Sequence, residues 1–485
     1  MSHPRIVIGV DSSTQATKAL AVDIDTGRIL GTGRAAHTVS TGTARESGPD
    51  RWWDAYCEAV AATGHAARAH AVAVAAQQHG LVTLDSSGKP VRPALLWNDV
   101  RSAPQARAMI ERFGAEWLAA RIGSVPTASF TATKWAWLRA NEPRNADRTV
   151  AVRLPHDYLT ERLTGAAVTD RGDASGTGWW NADGYDREIL DHIALDPAAL
   201  PTVLRPGAHA GVTRSDGPTP AGIAVAAGTG DNMAAALGLG LEPGVPVLSL
   251  GTSGTAYTVA RTRPNDPTGV VAGFADATGR WLPLACTLNC TRAVDHVAGL
   301  LNRSREDVES GGSVTVLPYF DGERTPDLPA ATGSIHGMRH DTTAGQLLQA
   351  AYDGAVFSLL TALDRVLICD GDTMDPSLPL LVIGGGAQGI AWQNTVRRLS
   401  GRPLILPATA EVVAMGAAAQ AASLLTGERA DAVARRWRTR HGTTLDPLPR
   451  DTATVERLSA TLRASGALLA PDRYQVHTAT ARMPE

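Results

Sequence analysis

Residues 225–254 read VAAGTGDNMAAALGLGLEPGVPVLSLGTSG. An apolar run with strand character reaches the tight turn Gly228-Thr229-Gly230, and a small-residue helix is expected over 232–239. Asp231 falls where that helix needs an N-cap, and the positive end of the dipole is expected to hold its carboxylate ionised. After the breakers Glu242-Pro243-Gly244, a second strand over 245–250 ends in Gly251-Thr252-Ser253-Gly254. Backbone N–H groups and hydroxyls in such a turn suit phosphate oxygens. A base and a phosphate cradle on either side of one short helix point to phosphoryl transfer. A capped helix followed by a hairpin turn would use the same residues, so this stretch by itself leaves both readings open.

Outward from it, the chain alternates strand and helix. Strand patterns at 5–10, 17–23 and 28–39 form a meander, a helix follows over 50–69, and the strand 71–76 runs into Gln77-Gln78-His79-Gly80. Residues 164–180 are rich in Gly, Thr and Ser and read as loop. Beyond the breakers come strands at 254–260 and 314–319 and a long helix over 343–369. The strand 380–383 then enters Gly384-Gly385-Gly386-Ala387, followed by a helix over 390–399, a strand over 403–407 and a helix over 412–425. Strand, small polar turn with Thr, strand: the opening pattern returns after residue 244, as an internal duplication would produce. The layers are α/β, and the breakers place a domain boundary between 1–242 and 243–430, with 431–485 as a helical extension and tail.

Composition narrows the classes. A length of 485 residues needs more than one core, and 44% hydrophobic with 19% charged residues is ordinary for a globular protein. A formal charge of −3, without basic runs, gives no footprint for nucleic acid or an anionic membrane. No apolar stretch is long enough to span a bilayer, and the N-terminus has no signal-peptide pattern. Cys57, Cys286, Cys290 and Cys369 are scattered and form no metal-ligand set, which fits reduced thiols in a cytoplasmic protein.

The ordered motifs are Gly9-Val10-Asp11-Ser12-Ser13-Thr14, Gln78-His79-Gly80, Leu96-Trp97-Asn98-Asp99, Gly230-Asp231-Asn232, Leu248-Ser249-Leu250-Gly251-Thr252-Ser253-Gly254, Leu317-Pro318-Tyr319 with Gly322-Glu323-Arg324-Thr325-Pro326, and Ile383-Gly384-Gly385-Gly386-Ala387. Together they resemble the FGGY family of carbohydrate kinases over about residues 5–425. The resemblance implies two actin-like (ribonuclease H-like) α/β domains around an interdomain cleft, sugar mainly on the first and ATP mainly on the second. It implies ATP- and Mg²⁺-dependent phosphorylation of a ketopentose, D-xylulose first among them, at its terminal hydroxyl. Ribulose, glycerol or a deoxy-sugar are the alternatives within the family, and a non-catalytic actin-like sugar sensor the alternative outside its chemistry. Sugar and ATP are the expected partners, without nucleic acid or membrane; a homodimer stays open.

By the same resemblance Asp231 is the general base and Asp11 a catalytic carboxylate that meets Mg²⁺ through water. Gln78, His79, Asp231 and Asn232 bind sugar, Thr14 and Thr252 donate to phosphates, and Gly385, Gly386 and Ala387 let backbone approach the adenosine. Gln78 stands where members that act on xylulose often carry Met, and Gly389 where many carry Asn or Ser. The residues have plainer readings too: Asp11 as an Asx-turn, His79 as a core histidine, and the Gly run as close helix–strand packing.

Overall fold

The computed structural model of the chain describes residues 4–40, 44–368, 375 and 377–469. Cys369 and, of the extension and tail read over 431–485, residues 470–485 lie outside these residues. The chain forms two α/β units. The first takes the chain to Pro243, then Val259–Leu282 and Glu411–Arg440; the second takes Gly244–Thr258, Pro283–Ala410 and the chain from His441.

The first unit is built on a seven-stranded sheet in the order His209–Val212, Ala224–Ala226, Ala69–Ala76, Ile6–Ser12, Ala16–Asp23, Ile29–Ala36, with Thr229–Gly230 also paired to Ala69–Ala76. The meander is as expected, and Ile6–Ser12 runs antiparallel to Ala16–Asp23 but parallel to Ala69–Ala76. Ile6–Ser12 shows no polar alternation because both its faces are covered. Ile6, Ile8 and Val10 pack with Trp52, Tyr56 and Tyr158, whereas Val7 packs on the opposite face with Ala414, Met415 and Ala418. That second face is covered by the helix Val412–Thr426, which the sequence boundaries assign to the later domain. Its composition explains the difference: the helix is buried almost all round and made largely of Ala and Gly, so it seats flat on the sheet. A Cβ on Gly9 would lie 2.1 Å from the Ala414 carbonyl oxygen, so strand and helix touch backbone to backbone.

The second unit carries the sheet Trp281–Thr287 (from Pro283 onward), Gly254–Tyr257, Val247–Leu250, Leu380–Ile383, Leu404–Pro407, Gly442–Leu445. Val247–Leu250 is antiparallel to Gly254–Tyr257 and parallel to Leu380–Ile383, the same pairing that Ile6–Ser12 makes with Ala16–Asp23 and Ala69–Ala76 in the other sheet. The internal echo read from the sequence is therefore an echo of topology. The long helix Ala344–Ile368 is apolar around most of its circumference and fills the core of this unit. Residues 164–180, read as loop, instead hold the strand Val168–Asp170, a short helix Arg171–Ala174 and the strand Trp180–Asn181. The Asp170 carboxylate caps that helix by accepting from the Gly172 and Asp173 amides, so the polar residues that suggested a loop are its caps. Among the described residues no helix is long and apolar enough to cross a membrane.

Candidate active site

The sheet of the first unit delivers three chain ends to one place. Asp11 and Ser12 pair with Ala75 and Ala76 on one side, and Thr229 and Gly230 pair with the same two residues on the other. All three strands run parallel there, so the residues that follow them gather at the carboxyl edge, where open α/β sheets present ligand-binding groups. Asp11, Gln78 and Asp231 thus share a neighbourhood although they lie far apart in sequence.

Asp11 is buried, with the Ser13 hydroxyl donating to its Oδ1 at 2.7 Å. Burial lifts its pKa to about 6, against the Ser13 bond and the charge of Lys18. Lys18 is its cross-strand partner, and Lys18 Nζ meets Glu411 Oε2 at 2.8 Å. Neither Lys18 nor Glu411 was singled out by the sequence reading; the ladder register is what brings Lys18 opposite Asp11. Trp97 Nε1 donates to Thr14 Oγ1 at 3.0 Å, an arrangement in which the hydroxyl can still donate elsewhere.

Gln78 is buried, and its Oε1 accepts from Asn232 Nδ2 at 2.8 Å, while its Nε2 is buried without a hydrogen-bond partner among the described residues. His79 holds φ 64°, a left-handed conformation rare away from glycine. Its Nδ1 bonds the Gly176 carbonyl at 2.6 Å, which makes Nδ1 the protonated nitrogen and Nε2 the acceptor in the neutral ring. Phe130 and Phe274 flank the ring at centroid distances of 5.0 and 5.6 Å.

Asp231 departs from expectation in two ways. Gly230 is the N-cap of the helix Asp231–Gly238, and Asp231 is its first helical residue. Its carboxyl is also not held ionised: burial first, then the charges of Asp11 and Asp173, raise its pKa to about 8. The helix dipole offers about 0.3–1 kcal/mol, less than one pKa unit, and two neighbouring carboxylates with burial outweigh it. Asp231 Oδ1 accepts from the Asn232 amide at 2.8 Å and from Asn232 Nδ2 at 3.1 Å. Asn232 therefore joins Asp231 to Gln78 in one hydrogen-bonded row.

In the second unit, Thr252 stands exposed in the turn between Val247–Leu250 and Gly254–Tyr257. The Gly251 carbonyl accepts from the Thr291 amide at 3.1 Å and hydroxyl at 2.9 Å, which fixes the base of that turn. Leu380–Ile383 leads into Gly384, whose φ of 88° and absent Cβ (2.7 Å from the Leu250 carbonyl oxygen) explain the glycine. At Gly386 a Cβ would come within 2.9 Å of Leu250 Cβ and Thr291 Cγ2, and Ala387 is buried, so both pack inward. At Gly385 a Cβ would meet nothing within 4 Å. The small residues at 384 and 386 thus answer to strand packing, and within this run Gly385 is the position whose side-chain space is open.

Residues 6–238 match the N-terminal domain of the FGGY family of carbohydrate kinases, and residues 247–425 match its C-terminal domain. The chain belongs to the FGGY family of carbohydrate kinases. It is 66% identical to the xylulose kinase of Streptomyces coelicolor over 96% of its own length and 98% of that protein's, and 63% identical to the xylulose kinase of Streptomyces rubiginosus over 96% and 97%. The crystal structure of xylulose kinase from Bifidobacterium adolescentis superimposes with a TM-score of 0.81 at 35% identity, covering 95% of this chain and all of that one.

For a carbohydrate kinase the buried Glu323 is a further organising residue that the sequence reading quoted only as part of a motif. Its Oε1 accepts from the Leu288 and Arg324 amides at 2.6 and 2.7 Å, and its Oε2 from the amide and side chain of Asn289 at 3.3 and 3.1 Å. These bonds clamp Leu288 and Asn289 just ahead of Thr291, the residue that holds Gly251. Glu323→Ala leaves several buried N–H groups unsatisfied, at about 1–3 kcal/mol each, and should lower the thermal midpoint well beyond a surface substitution. A midpoint equal to that of the wild type in calorimetry would show that the clamp is not needed.

Proposed function

We propose that the protein transfers the terminal phosphoryl group of ATP to the 5-hydroxyl of D-xylulose in the cytoplasm, with Asp231 as general base. The juxtaposition of Asp231, Asn232 and Gln78 at the carboxyl edge of the first sheet carries the chemistry; the two relatives above 60% identity support the choice of sugar.

Phosphoryl transfer asks little covalent work of a protein, so positioning and charge dominate. Gln78, His79 and Asn232 offer donors and acceptors to sugar hydroxyls, and the half-buried Asp231 faces the attacking one. Once ionised, Asp231, whose pKa of about 8 makes its carboxylate a strong proton acceptor, takes the hydroxyl proton as the new P–O bond forms. Thr14 and Thr252 donate to phosphate oxygens, and Gly385, with open space beside it, accommodates the nucleoside, flanked by Gly386 and Ala387.

The donor set fits Mg²⁺ as well. Asp11 is a buried carboxylate at the sheet edge, and Asp231 feels its charge. Such a site suits an ion held through water by one carboxylate and otherwise by the nucleotide's phosphates, the habit of Mg²⁺. When bound, the ion neutralises charge on the transferring phosphate.

ADP release measured over D-xylulose, ribulose, glycerol and deoxy-sugars tests the reading. D-xylulose is expected to give the highest kcat/KM; a higher value for another acceptor would replace it, and Gln78 is the first residue to examine in that event.

A further inference from the structure

Behind the turn that leads to Asp231 lies a cluster of buried charges, of which the chemistry above uses only Asp173, through its charge on Asp231. His156 comes from the helix Pro155–Thr164 together with Asp157; Asp170 ends the strand Val168–Asp170, and Asp173 lies on the helix Arg171–Ala174. None of the four is more than 5% exposed. His156 Nδ1 bonds Asp173 Oδ2 at 2.8 Å, and Nε2 faces Asp157 Oδ1 at 3.2 Å and Asp170 Oδ1 at 3.8 Å. Burial pulls the imidazole pKa down, but the carboxylates of Asp157, Asp173 and Asp170 outweigh it and lift it to about 9. The centre of the cluster is therefore an imidazolium among aspartates.

The turn before Asp231 is keyed to this cluster residue by residue. A Cβ on Gly228 would come within 2.9 Å of His156 Cδ2. Thr229 Oγ1 donates to Asp170 Oδ2 at 2.8 Å. A Cβ on Gly230 would stand 3.2 Å from Asp173 Oδ1, a buried oxygen with no hydrogen-bond partner among the described residues. Three successive backbone positions meet three members of the cluster, and the next residue is Asp231.

We infer that His156 is a positioning residue: with Asp170 and Asp173 it forms the charged bed that seats Gly228, Thr229 and Gly230 and so fixes where Asp231 stands. An apolar bed would fill the same space, but directional bonds among buried charges resist sliding, and removal of the cation leaves three carboxylates in mutual repulsion. The inference rests on Asp231 being the base.

His156→Asn keeps a donor toward Asp173 without the charge, and Asp173→Asn keeps an acceptor toward His156 without the charge. Misplacement of a catalytic group by about 1 Å costs on the order of a hundredfold, so kcat with D-xylulose should fall at least about tenfold in both variants. The sugar KM and ATP affinity by calorimetry should stay near wild type, and His156→Lys, which restores a cation, should recover part of the loss. A kcat near wild type in both folded variants overturns the inference. So does a loss of kcat matched by equal losses of ATP affinity and thermal midpoint, which would mark a structural role alone. Asp231→Asn run in parallel separates the two claims: if it keeps its turnover, the base assignment falls; if it is inactive while His156→Asn is not, only the positioning role falls.

Discussion

Asp231→Asn should lose at least about a hundredfold in kcat, as removal of a general base does, while binding ATP as the wild type does. Asp231→Ala should lose as much. Retention of more than about a tenth of the wild-type rate would remove Asp231 from the chemistry, because general-base catalysis is worth far more than that. The same substitution should make the ligand-free protein more stable. In the folded chain the carboxyl titrates at about 8, well above its ordinary value, because burial and the charges of Asp11 and Asp173 oppose ionisation. The stability that goes with the raised pKa is complete below about pH 4 and is lost as pH rises through 8. Asn has no charge to lose, so the difference in thermal midpoint between variant and wild type should be small near pH 4, grow toward pH 8 and then level off. A midpoint higher by about 5 °C at pH 8 is the expected scale. A gap that stays constant, or narrows with rising pH, would contradict the account of burial and repulsion. Loss of rate with gain of stability at one residue is the usual mark of a site that holds charge for function.

The second large effect concerns a position remote from any reacting atom. Gly416→Val should cost about 3 kcal/mol or more, lowering the midpoint by about 10 °C or preventing folding. A Cβ on Gly416 would stand 1.9 Å from the Ala234 carbonyl oxygen, and one on Gly238 would stand 1.9 Å from that of Val412. The helices Asp231–Gly238 and Val412–Thr426 therefore cross with backbones in contact, and neither can yield to a side chain. Because the first of these helices begins at Asp231, whatever folded protein survives should also have a lowered kcat. A variant with an unchanged midpoint would mean that the helices can separate without cost.

Both effects concern features that differ in how far the chain reveals them. The run Ile6–Ser12, the turn before Asp231 and the strand Leu380–Ile383 entering a Gly run were readable because local rules govern them: apolar runs bounded by Gly and polar turns. The ordered motifs likewise pointed to the family. The charge state of Asp231 was not readable. A carboxylate at a helix start looks ionised when only its own helix is considered, and Asp11 and Asp173 enter its surroundings through strand pairing and a separate short helix. The loop reading of residues 164–180 failed for a similar reason, since Asp170 and its neighbours spend their polarity on capping rather than on solvent. His156 sits in a run that reads as an ordinary helix start.

The amino-acid sequence by itself determined the α/β alternation, the repeated strand–turn–strand pattern and the family, because these depend on periodicity and residue type over short spans. Tertiary structure alone decided that the helix Val412–Thr426 covers the first sheet, that Lys18 stands opposite Asp11, and that the buried His156 ring lies among three aspartates beneath the turn before Asp231. The reason is that register, helix seating and electrostatic field are set by groups brought together from distant parts of the chain, and no local pattern encodes which of them will meet.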